Sequence, residues 1–279
     1  MEHTIKDNCK ILILDILFIA IGQTCLMFYY KYTHSVYLFR DFLISFLFSA
    51  AAIIVIYFYP IKIEKNKHIY KNKKALIPYI IIAVILQILI FILNKLFGLN
   101  SSTAIFFNNR MYIYFMQLGV TATLLICYFF KIKFKKFNWG ISFNSIVLVI
   151  IVYIICRLEI IVNGDICFNK IFNVKFILYF IKRTIQESLY PGFFEEVLNR
   201  GLLISGLKGF GFSDNKCNII QAVIFGISHI GSFGTVSWIF LLFTASQTMA
   251  GYITGKVYFK TKSLVPCIIL HGLMDAVQI

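Results

Sequence analysis

Apolar runs of about twenty residues follow one another along this chain, and they limit its fold more than any other feature. A bilayer core is crossed by about 20 apolar residues in a helix, because a helix satisfies its backbone hydrogen bonds within its own segment. Such runs occupy residues 11–30, 36–59, 75–98, 111–130 and 143–162. The sequence therefore predicts an all-α fold, a polytopic bundle of transmembrane helices.

The composition supports this class of protein. Hydrophobic residues make up 59% of the chain and charged residues 14%, whereas a soluble domain has about 25% charged residues. A net charge of +15 in a soluble chain would suggest nucleic acid. Here the lysines cluster between apolar runs, at 62–74 and 131–136, as in cytoplasmic loops beside anionic lipid. We expect a multi-pass protein of the cell membrane, with the lipid bilayer and not nucleic acid as its partner.

The N-terminal region, residues 1–170, is interpreted as a set of transmembrane spans that form a scaffold or enclose a substrate. Its charged residues are scattered and lie mostly near the ends of apolar runs, where long side chains can reach the membrane interface. They include Asp15, Arg40, Asp41, Arg157 and Glu159. No soluble domain and no inverted repeat is evident in this region.

The last third of the chain is harder to divide into spans. Residues 172–190 carry Lys182, Arg183 and Glu187, which predicts an amphipathic helix at an interface or against the bundle. Pro191 and Gly192 then predict a break before a helix over about 193–208. Further spans are predicted at 217–231, 236–257 and 263–279, which gives roughly eight or nine in all.

The stretch from Pro191 to Gly201 places two adjacent carboxylates and an arginine within an apolar run. A charge at membrane depth costs about 2.5–3.5 kcal/mol on insertion scales, so such groups usually serve a function. Glu196 and Arg200 are four residues apart, share a helix face and are predicted to pair. Glu195 lies about 100° around the helix and is left available.

The same spacing of four recurs in Phe225-Gly-Ile-Ser-His229 and in His271-Gly-Leu-Met-Asp275. Singly, these residues could be a structural ion pair, a hydrogen-bonded core histidine and a helix-stabilising pair. Together, beside a free carboxylate, they need a shared explanation. The candidate site residues are polar groups on apolar segments: Glu195, Glu196, Arg200, His229, His271 and Asp275.

These three motifs, in this order, resemble those of the CAAX protease and bacteriocin-processing (CPBP, or Abi) intramembrane endopeptidases, the type II CAAX prenyl protease-like proteins. The resemblance covers about residues 170–279 and implies a CPBP-like catalytic core over 171–279. One departure is Asn199, where many members carry a bulky aromatic residue, so the local packing there is in question.

The resemblance implies hydrolysis of peptide bonds in membrane-associated peptides or proteins, without a cofactor. Glu195 would be the general base that activates water, while His229 and His271 place the water or stabilise the oxyanion. Asp275 would complete the polar pocket, and Glu196 with Arg200 would hold the helix in register. In a bacterial source, the substrate implied is a bacteriocin-like peptide, through its processing or self-immunity, or a membrane regulator.

Two alternatives stay open at this stage. Two histidines and a carboxylate can also form a catalytic zinc site, although a His-Glu-x-x-His motif is absent. The polar residues could instead serve a non-enzymatic membrane protein, either for immunity by binding or for transport through a proton or cation relay.

Overall fold

The computed structural model describes residues 2–33, 39–61, 68–97, 109–162, 173–230 and 238–276. Within these ranges all regular structure is helical. The predicted all-α fold class is therefore confirmed. Residues 62–67, which form part of the first lysine-rich loop, lie outside the described residues, as does the end of the last predicted span, 277–279.

Each apolar run predicted from the sequence corresponds to a helix. The N-terminal helices are α1 Glu2–Tyr32, α2 Phe39–Phe58, α3 Leu76–Phe97, α4 Asn109–Phe129 and α5 Phe143–Val162. The C-terminal helices are α6 Val174–Glu187, α7 Phe193–Glu196, α8 Ile204–Gly209, α9 Asp214–Ser228, α10 Trp238–Thr261 and α11 Leu264–Ala276. Short 3₁₀ turns at Lys73–Ala75 and Phe134–Lys136 precede α3 and α5.

Two helical segments in the described ranges are long and apolar enough to cross a membrane, Cys9–Tyr32 and Phe39–Phe58. Shorter apolar helices cover Gly119–Phe129, Phe143–Leu158 and Leu264–Ala276. The predicted count of eight or nine spans is therefore not confirmed and stays a prediction.

The outer faces of the N-terminal helices are apolar. Ile21 of α1, Leu47 of α2 and Ile88 of α3 are all more than half exposed. Exposed apolar surface on this scale marks a surface that contacts lipid or another protein. The buried core lies on the opposite faces, where α1 packs against α2 and α10 and α2 packs against α5.

Helix α6 faces the bundle with its polar side. Glu187 is buried and pairs with Arg183, whereas Leu178 and Ile185 on the other side are more than half exposed. The helix packs closely on α11, since a Cβ added to Gly272 would lie 2.7 Å from the Thr184 carbonyl oxygen. Of the two placements predicted for 172–190, the structure shows packing against the bundle.

The break predicted at Pro191-Gly192 is confirmed. A π-helical segment from Ser188 to Gly192 contains Tyr190 in an extended conformation, with φ −158° and ψ 128°. After it, α7 continues through a second π-helical segment, Val197–Leu203, into α8. The helix predicted over 193–208 is therefore present, and π-helical turns of this kind occur frequently at functional sites.

The interpretation of the N-terminal charges as interfacial is wrong for Asp15. This residue is 1% exposed and its Oδ2 lies 2.5 Å from Nζ of Lys256 on α10. Arg157 also points inward and donates from Nη2 to the carbonyl of Met274. Arg40 and Asp41 form an exposed pair as expected, and the side chain of Glu159 lies outside the described part of the chain.

Helices α9 and α10 make the most extensive packing contact of the described residues, and glycines allow their close approach. We expect Gly226→Ala to destabilise the fold by about 1–3 kcal/mol, the usual cost of overpacking. Its Cβ would lie 1.9 Å from Thr248 Oγ1 and 2.8 Å from the Thr244 carbonyl oxygen, which cannot rotate away. Unfolding of the protein in mild detergent measures the change.

Gly119→Ala is the matched control. Its Cβ would find its nearest neighbour at 3.7 Å, an ordinary van der Waals distance, so the substitution should be neutral or slightly stabilising in helix α4. Equal stability of Gly226→Ala and the wild type would show that the α9–α10 contact does not need the glycine.

Candidate active site

Two helical segments position five of the six candidate residues. Glu195 and Glu196 lie on α7, and Arg200 lies in the π-helical segment that follows it. Helix α11 carries His271 and Asp275. These two segments pack against each other at Gly192, where a Cβ would lie 3.5 Å from Cβ of His271. The close contact brings the two carboxylates of α7 to the imidazole of α11.

The predicted pair of Glu196 and Arg200 is confirmed. Nη1 of Arg200 lies 3.0 Å from Oε1 of Glu196, and both side chains are fully buried. Nη2 of Arg200 donates to the Gly251 carbonyl at 2.7 Å, and the guanidinium lies 5.1 Å from the centre of the Phe225 ring. A buried pair of this kind is costly to break, because removal of one partner leaves an uncompensated charge.

His271 lies among three carboxylates. Its Nδ1 is 2.9 Å from Oε1 of Glu196, and its Nε2 is 3.2 Å from Oδ2 of Asp275 and 3.8 Å from Oε2 of Glu195. Carboxylates accept hydrogen bonds, and only a doubly protonated imidazole can donate from both nitrogens. The geometry is therefore that of an imidazolium held between Glu196 and Asp275.

Glu195 has a carboxylate oxygen without a partner among the described residues. Its Oε2 is buried and accepts no hydrogen bond from any described residue, although a quarter of the side chain is exposed. Oε2 of Glu196 is in the same situation. Buried carboxylate oxygens nearly always have donors, so these two oxygens are acceptor positions for a water molecule or a substrate N–H.

His229 ends helix α9 beside this cluster. Its Nδ1 lies 2.8 Å from the Phe225 carbonyl, which can only accept, so Nδ1 donates this hydrogen bond and Nε2 takes no part in it. Its ring packs on Phe225 at 4.8 Å, and Phe225 in turn meets the ring of His271 edge-on at 6.2 Å. Gln87 of α3 holds this helix end by donating to the Ser228 carbonyl at 2.8 Å.

The structure thus brings five of the six predicted residues into one contiguous cluster. His229 adjoins the cluster across the Phe225 ring and does not bond to it directly among the described contacts. A cavity opens beside the cluster, and its wall includes Val152 and Cys156 of α5 together with Met274 of α11. The lining is mostly apolar, with the polar groups of Glu196, His271 and Asp275 at one side.

Several polar residues around the site were not identified from the sequence. Gln221 of α9 donates to the Gly251 carbonyl at 2.9 Å, beside the bond from Arg200. Its position four residues before Phe225 and eight before His229, on one helix face, is the signal that could have identified it. Glu187 of α6 is buried close enough to the site to interact electrostatically with His271.

Asn199, the departure from the family pattern, is accommodated within its own helix. The side chain is 6% exposed, and Nδ2 donates to the Glu195 carbonyl at 2.8 Å. A buried amide costs little when it is hydrogen-bonded. The local packing is therefore intact, and the bond tethers the backbone of Glu195 itself.

Metal coordination was the rival chemistry. Among the described residues, no group of three or more His, Cys, Asp and Glu side chains has the geometry to hold a metal ion. His271 already uses both nitrogens in contacts with Glu196 and Asp275, and Nδ1 of His229 is bonded to a carbonyl. The zinc alternative is put to experiment below.

Comparison with known proteins bears on the C-terminal region. Residues 175–277 match the family described as Type II CAAX prenyl endopeptidase Rce1-like, and the match contains all three motifs. No curated protein and no solved structure matches the chain at a significant level. The matched family is one of membrane proteases, so the resemblance that the three motifs predicted is confirmed over residues 175–277, a little over a third of the chain.

Proposed function

We propose that this protein is an intramembrane endopeptidase that hydrolyses peptide bonds of membrane-associated peptides or proteins with water activated by Glu195. One observation carries the proposal. Oε2 of Glu195 is buried without a hydrogen-bond donor and faces Nε2 of His271 at 3.8 Å. A carboxylate oxygen without another donor can accept a hydrogen bond from a water molecule and take its proton, which is the geometry that a general base requires.

Peptide hydrolysis by this site would use the side chains of Glu195, His229 and His271. A water bound to Oε2 of Glu195 transfers a proton to the carboxylate as its oxygen attacks the scissile carbonyl carbon. The carbonyl oxygen becomes an oxyanion, which the positive charge of the His271 ring stabilises, while Nε2 of His229 helps to place the attacking water. Collapse of the intermediate breaks the C–N bond, and the proton held by Glu195 passes to the leaving amine.

Glu196 has a different role in this proposal. Its Oε1 is shared by Arg200 and His271, at 3.0 and 2.9 Å, so it orients the imidazole while its own charge is balanced by the guanidinium. Asp275 contacts the other ring nitrogen, Nε2, at 3.2 Å. Arg200, Glu196 and Asp275 together therefore hold the His271 ring in place. The ring in turn lies beside Glu195, the proposed base.

The membrane setting follows from the family and from the surface. Large apolar side chains are exposed on the outer faces of α1, α2, α3 and α6, and the cavity wall beside the site is apolar. A substrate segment that enters between α5 and α11 would therefore come from the bilayer. In a bacterial cell, we propose a bacteriocin-like peptide or a membrane regulator as the substrate.

The decisive variant is Glu195→Gln, which keeps the size of the side chain and removes the base. We expect cleavage of a membrane peptide by the protein in vesicles to fall by about 10²–10⁴-fold, the usual contribution of a general base. Asp214→Asn, at an exposed acid in the first turn of α9, is the matched control and should be fully active. Full activity of Glu195→Gln would contradict the mechanism, and undiminished protection of cells from a toxic peptide would favour immunity by binding.

Stability should separate the two adjacent glutamates. We expect Arg200→Met to lower the free energy of unfolding by about 3–5 kcal/mol, because buried Glu196 loses one of its two cationic partners and keeps only the His271 ring. Glu195→Gln should change it by less than about 1 kcal/mol, since Glu195 has no cationic partner within 3.5 Å among the described residues. Denaturant titration in mild detergent measures both.

A second measurement completes this comparison. Combining Arg200→Met with Glu196→Gln should recover part of the loss, because no unpaired charge is then buried. Equal effects of Arg200→Met and Glu195→Gln on unfolding would contradict the division of roles.

The metal-free mechanism is tested by chelation. We expect the purified protein to retain full peptidase activity after incubation with 1,10-phenanthroline and dialysis, and to contain well under one equivalent of zinc by elemental analysis. A stoichiometric metal whose removal abolishes cleavage, and whose return restores it, would establish the zinc alternative instead.

A further inference from the structure

Helix α1 lies outside the segment that matches the family, yet it places a buried carboxylate against α10. Oδ1 of Asp15 accepts a hydrogen bond from the Tyr252 hydroxyl at 2.5 Å, and Oδ2 pairs with Nζ of Lys256 at 2.5 Å. Asp15 and Tyr252 are each 1% exposed. Phe18, one turn further along α1, stacks on the Tyr252 ring at 4.3 Å. The N-terminal helix therefore holds this turn of α10 by both charge and packing.

The same turn of α10 holds the side chains of α9. The Tyr252 carbonyl accepts from Nδ2 of Asn218 at 3.1 Å. Gln221 donates from Nε2 to Oδ1 of Asn218 at 2.8 Å and to the Gly251 carbonyl at 2.9 Å. Nη2 of Arg200 donates to that same Gly251 carbonyl at 2.7 Å. An unbroken set of bonds thus leads from Asp15 to Arg200, and from Arg200 to Glu196.

These hydrogen bonds cross the contact between α9 and α10, where the two helices are closely packed. A Cβ on Gly255 would lie 1.8 Å from Oδ1 of Asn218, and one on Gly251 would lie 2.9 Å from the Phe225 ring. A shift of α10 relative to α9 would therefore displace Phe225 and the carbonyl that holds Arg200 together. Tightly packed helices transmit small displacements because their side chains cannot compress.

We propose that Asp15 is a positioning residue of the peptidase: through Tyr252 it fixes the Gly251 carbonyl that orients Arg200, and thereby Glu196 and His271. The proposal rests on the proposed function for its kinetic consequence. Its structural consequence, the placement of the His271 ring, is independent of activity. A helix of the N-terminal region is then part of the catalytic apparatus as well as part of the scaffold.

The test compares a subtle change at the α1–α10 interface with one at a buried position of α1. Tyr252→Phe removes only the hydroxyl that Asp15 accepts from, and leaves the Asp15–Lys256 pair and the stacked ring in place. Ile19→Val, at a fully buried position of α1, removes one methylene without touching the polar path. Ile19→Val serves as the matched control for loss of stability, which unfolding in detergent verifies.

The expected result is a fall in kcat of about ten- to a hundredfold for Tyr252→Phe with an unchanged KM, because a small misplacement of catalytic groups costs this much. Ile19→Val should keep the wild-type kcat. In ¹⁵N-histidine NMR, the His271 ring resonances, assigned by their loss in His271→Gln, should shift in Tyr252→Phe and not in Ile19→Val.

The outcomes separate this proposal from the proposed function. If Glu195→Gln abolishes cleavage while Tyr252→Phe retains the wild-type kcat and His271 resonances, the positioning role of Asp15 is overturned and the peptidase stands. If the wild type shows no cleavage, the peptidase fails, and the NMR shift alone decides whether Asp15 positions the cluster. Equal losses of kcat in Tyr252→Phe and Ile19→Val would also overturn the proposal, because the effect would then be one of stability.

Discussion

One carboxylate oxygen, Oε1 of Glu196, organises the site. It is fully buried, and it accepts from Arg200 of its own helix and from His271 of α11. Taking these charges out of water is costly, and the cost is offset only while every partner is in place. The arrangement therefore requires that α7 and α11 keep one separation and one rotation. Glu195 can remain without a donor because its neighbour already neutralises the arginine and holds the imidazole.

Glycines make that separation possible. Gly272 follows His271 and lets α11 approach Ser188 so closely that a Cβ would lie 1.9 Å from its hydroxyl oxygen. Gly192 is needed within its own segment, because a Cβ there would lie 2.7 Å from the Glu187 carbonyl oxygen of the preceding turn. Small residues favour helix association in a bilayer, because they allow close packing. Lipid tails are as apolar as the side chains, so hydrophobic burial gives no driving force there. A small residue beside His271 thus allows the close helix contact, and the geometry of the site is a consequence of helix packing.

Sequence periodicity predicted contacts within a helix well and contacts between helices poorly. The four-residue spacing was enough to pair Glu196 with Arg200 and His271 with Asp275, because neighbours on one helix face are set by local geometry. Asp15 and Tyr252 are 237 residues apart, and no repeating pattern links them. In an apolar bundle every helix face is hydrophobic, so the pattern does not distinguish the buried side from the lipid side. An acid four residues inside an apolar run was the available signal, and an interfacial interpretation overlooked it.

The segment that matches the family depends on a charged residue of the N-terminal region. Lys256 belongs to the segment from 175 to 277, and its buried counter-ion, Asp15, comes from α1. Without α1, this lysine would keep the side-chain oxygen of Asn215, at 3.0 Å, and the Tyr252 ring, at 5.4 Å, but no carboxylate among its described contacts. The site depends on the N-terminal region at two further points, since α5 forms a wall of the cavity and Gln87 of α3 holds the helix end that carries His229. Three motifs supply the residues of the candidate site, and the helices that precede them complete its electrostatic balance and its enclosure.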